Sequence, residues 1–223
     1  MTIVENVKTI EKNIQEACQL GGREVADVKV IAVTKSVGVT EAKAVVQAGI
    51  THLAENRVDK FLEKYEALQD EDVTWHLIGT LQRRKVKDVI NQVDYFHALD
   101  SIKLAQEIDK RAQHPINCFL QVNVSGEASK HGFQPSELDE VITQLQSYGN
   151  LRLVGVMTMA PIDATESELD NLFEQTNRIR RELQDKAILN MPFTELSMGM
   201  SRDYQEAIRH GATFVRIGTA FFK

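Results

Sequence analysis

The chain has 223 residues, with 26 Lys and Arg against 32 Asp and Glu, a formal net charge of −6 and 43% hydrophobic residues. That composition is ordinary for a soluble globular protein, and no apolar run reaches the roughly 18 residues a membrane helix needs. The acidic balance argues against broad nucleic-acid contact, which needs a basic face to displace counterions.

The N-terminal stretch MTIVENVKTIEKNIQEACQL has no apolar h-region and no small-residue cleavage site, so a secretory signal is not expected. It reads instead as a helix over about residues 2–21. Cys18 and Cys118 lie far apart, with no C-x-x-C, so neither a disulfide framework nor a zinc site is expected. Four scattered prolines and no Gly/Ser/Pro linker predict one domain over 1–223.

Short apolar runs then alternate with helical patterns. Strands are predicted at 28–35, 51–56, 74–79, 94–99, 116–124, 151–159, 193–198 and 212–218. They are β-branched or continuously apolar, as parallel strands covered on both faces are. Between them, a helix over 40–49 is expected to open on Thr40 as N-cap and close on Gly49. Helical patterns follow at 82–92 and 101–112. The next, over 135–149, has Ser136 and Asp139 in an S-x-x-D spacing and Gly149 at its end. The stretch 164–186 carries Leu169, Leu172, Phe173 and Thr176 on one stripe. A further helix begins near Asp203.

Eight strands alternating with helices predict a closed (β/α)8 TIM barrel with an extra N-terminal helix. An open doubly wound sheet is the alternative. The chain stops directly after strand eight, so the N-terminal helix is expected to cover the gap where an eighth helix would lie.

In such barrels the active site forms at the C-terminal ends of the strands, with phosphate commonly held after strands seven and eight. Strand one ends in Lys35. In a partly desolvated mouth its amine would lose its proton more readily and become available for a Schiff base. The plainer reading is a lysine reaching out to solvent. The turn Ser197-Met198-Gly199-Met200-Ser201 after strand seven can aim backbone N–H groups at an anion, with the Ser201 hydroxyl beside them. Gly218 and Thr219 follow strand eight. Arg216 shares the inward face with Phe214. It is either a ligand contact or half of a structural ion pair, with Glu55 or Glu195 as partner. The six histidines are dispersed and suggest no metal cluster, and Arg83-Arg84-Lys85-Val86-Lys87 reads as a solvated face. No H-E-x-x-H, P-loop, G-x-S-x-G or G-x-G-x-x-G occurs.

The segments VIAVTK, AENRVDK, WHLIGTLQRRK, QVNVSGEASKHGF, VGVMTMAP, ELSMGMSRDYQEAI and GATFVRIGTAFF together resemble the pyridoxal 5′-phosphate homeostasis proteins, the YggS/PROSC family. These are similar to the N-terminal barrel domain of alanine racemase. The resemblance covers nearly the whole chain. It implies that Lys35 forms the internal aldimine with pyridoxal phosphate (PLP). It also implies that Ser201, Gly218 and Thr219 hold the phosphate, that Arg216 faces the pyridine nitrogen and that Asn56 lines the ring site. Two departures lie near the cofactor. Ala54 stands where a glycine is usual, and SVGVTE follows Lys35 in place of the common sequence.

An arginine at the ring nitrogen makes a weak electron sink, and the chain ends before any domain that could supply a racemase's second base. The resemblance thus implies a PLP carrier or buffer rather than an efficient enzyme, with a low-activity amino-acid racemase as the alternative. Apo PLP-dependent enzymes are the expected recipients. A monomer in the cytoplasm is expected, without membrane or nucleic-acid partners.

Overall fold

The computed structural model describes residues 2–127 and 131–223. Part of the QVNVSGEASKHGF motif, residues 128–130, lies outside the described residues. Eight parallel strands close on themselves in sequence order. They are β1 (Lys29–Val33), β2 (His52–Glu55), β3 (Thr74–Leu77), β4 (Tyr95–Leu99), β5 (Ile116–Gln121), β6 (Leu151–Met157), β7 (Glu195–Met200) and β8 (Phe214–Ile217). The β1–β8 ladder, with Ile31 opposite Arg216, makes the closure and excludes the open sheet.

The helices are α1 (Ile3–Leu20), α2 (Val39–Gln47), α3 (Val58–Ala67), α4 (Val86–Val89), α5 (Ile102–Arg111), α6 (Leu138–Leu145), α7 (Glu166–Asp185), α8 (Tyr204–Arg209) and α9 (Thr219–Phe222). Helix α3 has no counterpart in the sequence reading. Two expected caps move. The N-cap of α2 is Gly38, whose N–H donates to Glu41 Oε2 at 3.0 Å, so Thr40 lies inside the helix. Ahead of α6, Gln134 donates to Glu137 instead of Ser136 pairing with Asp139, because Pro135 starts a 3-10 turn there. The α7 stripe is as expected, with Leu172, Phe173 and Thr176 buried.

Helix α1 opens on a capping box between Thr2 and Glu5 and buries Val7, Ile10, Ile14, Ala17 and Cys18. It packs against α2, α8 and the short α9 that follows β8. Asn6 Nδ2 donates to the carbonyls of Phe221 and Lys223 at 2.9 and 3.0 Å.

The barrel interior is built around Phe214, whose ring meets those of His52, His76, Tyr95, His97 and Phe119 at 5.2–6.2 Å. Each apolar ring buried there contributes about 1.5–3 kcal/mol. No helix among the described residues is long and apolar enough to cross a membrane.

Candidate functional site

Strands β7, β8, β1 and β2 are neighbours, so their C-terminal ends form one arc of the barrel mouth. Lys35, Asn56, Ser201, Arg216, Gly218 and Thr219 all sit on this arc or at its floor. Their spread over some 185 positions of sequence is an effect of barrel closure.

Lys35 stands two residues beyond the end of β1 and is exposed. The expected desolvation is not seen, because β1 pairing ends at Val33 and Thr34 is the last buried residue. Asn56 is also exposed and follows β2 directly. Its backbone crowds Gly79, where an added Cβ would come within 2.9 Å of Asn56 Cα. Ala54 is fully buried in β2, opposite Val33 and His76. The ladder accepts its methyl group without a break.

The stretch expected as a turn after β7 is partly strand. The strand runs to Met200 through a register shift after Ser197. Gly199 makes this possible with φ +90°, and a Cβ there would lie 2.6 Å from Ala207 Cβ, so α8 packs against bare backbone. Asp203 closes the following turn by accepting from the Met200 N–H at 2.6 Å. Burial pushes the Asp203 carboxyl up, opposed by that bond and by the Arg216 charge. Ser201 Oγ accepts from the Gly218 N–H at 3.1 Å and joins the two phosphate-type turns. Thr219 is exposed as the first residue of α9.

Arg216 is buried on β8, below Gly218. It donates to Ser197 Oγ at 2.6 Å and to the Thr158 carbonyl at 3.0 Å. Burial lowers it to about 10, offset in part by Asp203, so it stays cationic at neutral pH. Neither Glu55 nor Glu195 pairs with it. Glu55 points away from the barrel axis into a buried ion pair with Lys64 of α3, and Lys64 also donates to the Thr34 carbonyl at 3.0 Å. Thr34 Oγ1 donates to the same Glu55 oxygen at 2.7 Å. Glu195 accepts from Thr194 near the other end of the barrel.

Thr158, Asp203 and Lys64 carry no role in the sequence reading, and Ser197 enters it only as part of the turn after strand seven, whereas its hydroxyl meets Arg216 and His97 inside the barrel. Lys64 was hidden because it looks like one more solvent-facing lysine of a charged stretch. The dispersed histidines are brought together too, since His52, His76 and His97 lie in hydrogen-bonding contact inside the barrel. Among the described residues no His, Cys, Asp and Glu group is arranged to hold a metal.

The donor set suits a phosphorylated, aldehyde-bearing aromatic ring. A primary amine, a buried guanidinium and two hydroxyls stand on adjacent strand ends around Gly218, beside one buried carboxyl.

Residues 6–223 match the family described as "Alanine racemase, N-terminal domain". The pyridoxal phosphate homeostasis protein of Aquifex aeolicus is 38% identical over all of this chain and 98% of its own length. The PLP-bound structure of PipY from Synechococcus elongatus superposes with a TM-score of 0.87 at 31% identity, covering 100% of each chain. An alanine racemase of Clostridium difficile gives a TM-score of 0.75 at 17% identity over 55% of its length, which shows the barrel fold alone. The chain belongs to the pyridoxal phosphate homeostasis protein family, on the alanine racemase N-terminal barrel.

Proposed function

We propose that this protein binds pyridoxal 5′-phosphate at the mouth formed by β7, β8, β1 and β2, and serves PLP homeostasis as a carrier or buffer. Arg216 is the observation that carries the reading. A guanidinium has donors only, so a pyridine nitrogen held against it accepts a hydrogen bond and stays unprotonated. PLP acts as a strong electron sink in enzymes chiefly when that nitrogen is protonated. A site floored by a buried arginine therefore favours retention of the cofactor over carbanion chemistry, and the racemase alternative is not favoured.

Lys35 offers the amine for covalent attachment of the cofactor aldehyde. Its exposure keeps the attachment open to solvent and to exchange. Ser201 and Thr219 offer hydroxyls for the phosphate beside Gly218, and Asn56 lines the ring. The protein works as a monomer on this reading and supplies apo PLP-dependent enzymes, by release and recapture or by direct transfer.

The test is spectral and chemical. Purified protein mixed with PLP should develop a band near the visible edge, and borohydride should fix one adduct on the Lys35 peptide. Lys35→Ala should lose both. An undiminished adduct on another lysine, such as Lys130, would overturn the assignment.

A further inference from the structure

The interior of a (β/α)8 barrel is ordinarily filled by branched apolar side chains. Here it carries a continuous polar line. Three successive strands each turn one histidine inward: His52 on β2, His76 on β3 and His97 on β4. His52 Nδ1 lies 2.9 Å from His76 Nε2, and His76 Nδ1 lies 2.8 Å from His97 Nε2. His97 Nδ1 lies 2.7 Å from Ser197 Oγ, which Arg216 reaches at 2.6 Å. His76, His97 and Ser197 are fully buried, while His52 is half-buried at the end opposite the mouth.

The direction of the line follows from its upper end. Arg216 only donates, so Ser197 Oγ accepts from it. The Ser197 hydroxyl has one proton, and His97 Nδ1 is the acceptor within reach. His97 then carries its proton on Nε2 and donates to His76 Nδ1. His76 donates likewise to His52 Nδ1. In the reverse sense His97 would donate to Ser197, and the hydroxyl proton would be left buried without an acceptor, which is costly. Stacking also fixes the orientation of the two buried rings. His76 stacks on Tyr95 at 4.9 Å and His97 on Phe119 at 4.4 Å, with Phe214 against all three histidines.

We propose that His97, His76 and His52 form a one-way wire of Nε2–H tautomers that positions Arg216 at the floor of the cofactor site and couples it to the protonation of His52 at the far end. The coupling follows from the geometry. A proton on His52 Nδ1 makes that atom a donor facing a donor, His76 Nε2–H. The acid form is satisfied only by reversing each tautomer, so that His97 donates to Ser197 and the hydroxyl turns away. Linkage makes this reciprocal: what alters Arg216 and Ser197 alters the proton affinity of His52. The groups that face His52 are Lys29 from β1, Asp94 ahead of β4, His76 from β3 and the Phe214 ring from β8. Burial and Lys29 lower His52, and Asp94 opposes them. The wire itself is a property of the protein alone. Only its service to the cofactor rests on the function proposed above.

The experiment is nitrogen NMR on protein labelled at histidine, without PLP and then with it. At pH 7.5 His52, His76 and His97 should each show a neutral ring protonated at Nε2. Ser197→Ala removes the hydroxyl that sets the direction. It should move the signals of all three rings and raise the proton affinity of His52 by about twofold or more, roughly 0.3 pH unit. His97→Asn keeps a polar atom near the Nδ1 position and should retain PLP better than His97→Leu. Adding PLP to the wild type should also shift His52. A charged or Nδ1-protonated His76 or His97 at pH 7.5 would overturn the wire, as would a Ser197→Ala response confined to His97. Should PLP fail to bind while the three tautomers and the Ser197→Ala response hold, the cofactor reading fails and the wire stands. Should PLP bind without any effect on His52, the coupling is refuted while the cofactor reading survives.

Discussion

The Gly218 N–H donates to Ser201 Oγ at 3.1 Å and ties the end of β8 to the turn after β7. One hydroxyl thus spans two turns whose loop positions commonly bind phosphate in barrels. Charge-assisted hydrogen bonds to a phosphate are each worth roughly 1.5–3 kcal/mol, and 1.4 kcal/mol is tenfold in affinity. Ser201→Ala should therefore weaken PLP retention by about tenfold or more. Thr219→Ala should act in the same direction. Equilibrium dialysis gives the dissociation constants, and unchanged values in both variants would place the phosphate elsewhere.

The Glu55–Lys64 pair should be far more important for stability than any surface ion pair. Both groups are shielded from water, and Glu55 Oε2 has no partner of its own. Lys64→Met would leave a buried carboxylate uncompensated, with an expected loss of about 3–5 kcal/mol. Adding Glu55→Gln to Lys64→Met should recover a large part of that loss. Urea unfolding of the single and double variants decides the matter. Equal stability of Lys64→Met and wild type would mean that the pair does not anchor the end of β1.

Acid should destabilise the fold earlier than carboxylates alone would cause. Burial drives His76 and His97 well below the ordinary histidine range and lowers His52 as well. In the unfolded chain these histidines titrate near 6.5. Below about pH 6.5 the unfolded chain binds more protons than the native one, so stability is full above that pH and falls as the pH falls. Each histidine contributes a slope of up to about 1.4 kcal/mol per pH unit. Urea midpoints measured at pH 7.5, 6.5 and 5.5 should drop progressively, and a flat profile would contradict burial of neutral rings.

Arg216 predicts poor carbanion chemistry and a transferable cofactor on one preparation. Holo-protein mixed with an apo PLP-dependent enzyme should reactivate it over time. Lys35→Ala protein prepared without PLP should not. Loss of α-deuterium from labelled alanine should be negligible, and turnover at rates typical of enzymes, on the order of 1 s⁻¹ or faster, would overturn the carrier reading.

The barrel was legible in the sequence because eight β-branched or apolar runs alternate with helical patterns, as βαβ units do. Strand ends were less so. The apolar Met200 lies beyond a glycine that looks like a turn signal, and only the bulge at Gly199 keeps it in β7. Arg216 could be placed on the inward face by alternation from Phe214, but its acceptors could not, since they come from β7 and from the residue after β6. The histidine line was also within reach. His52, His76 and His97 stand 24 and 21 residues apart, about one strand-helix repeat each, and the register sets each ring two residues further along its strand than the partner of the one before. As a count of scattered residues they suggest nothing; set against the repeat they mark one line that climbs from strand to strand.

Asn6 binds the carbonyls of Phe221 and Lys223, and β1 is hydrogen-bonded to β8. The first helix and the first strand thus have partners far along the sequence, 215 residues away for Asn6 and Phe221. Residues 3–33 find these places only once β8 and the residues after it are present. Contacts across such a separation are slow to form. The seam between β8 and β1 also borders the arc that holds Lys35, Gly218 and Thr219. Closing that seam therefore brings the end of β1 beside the end of β8, so the arc exists only in the closed barrel.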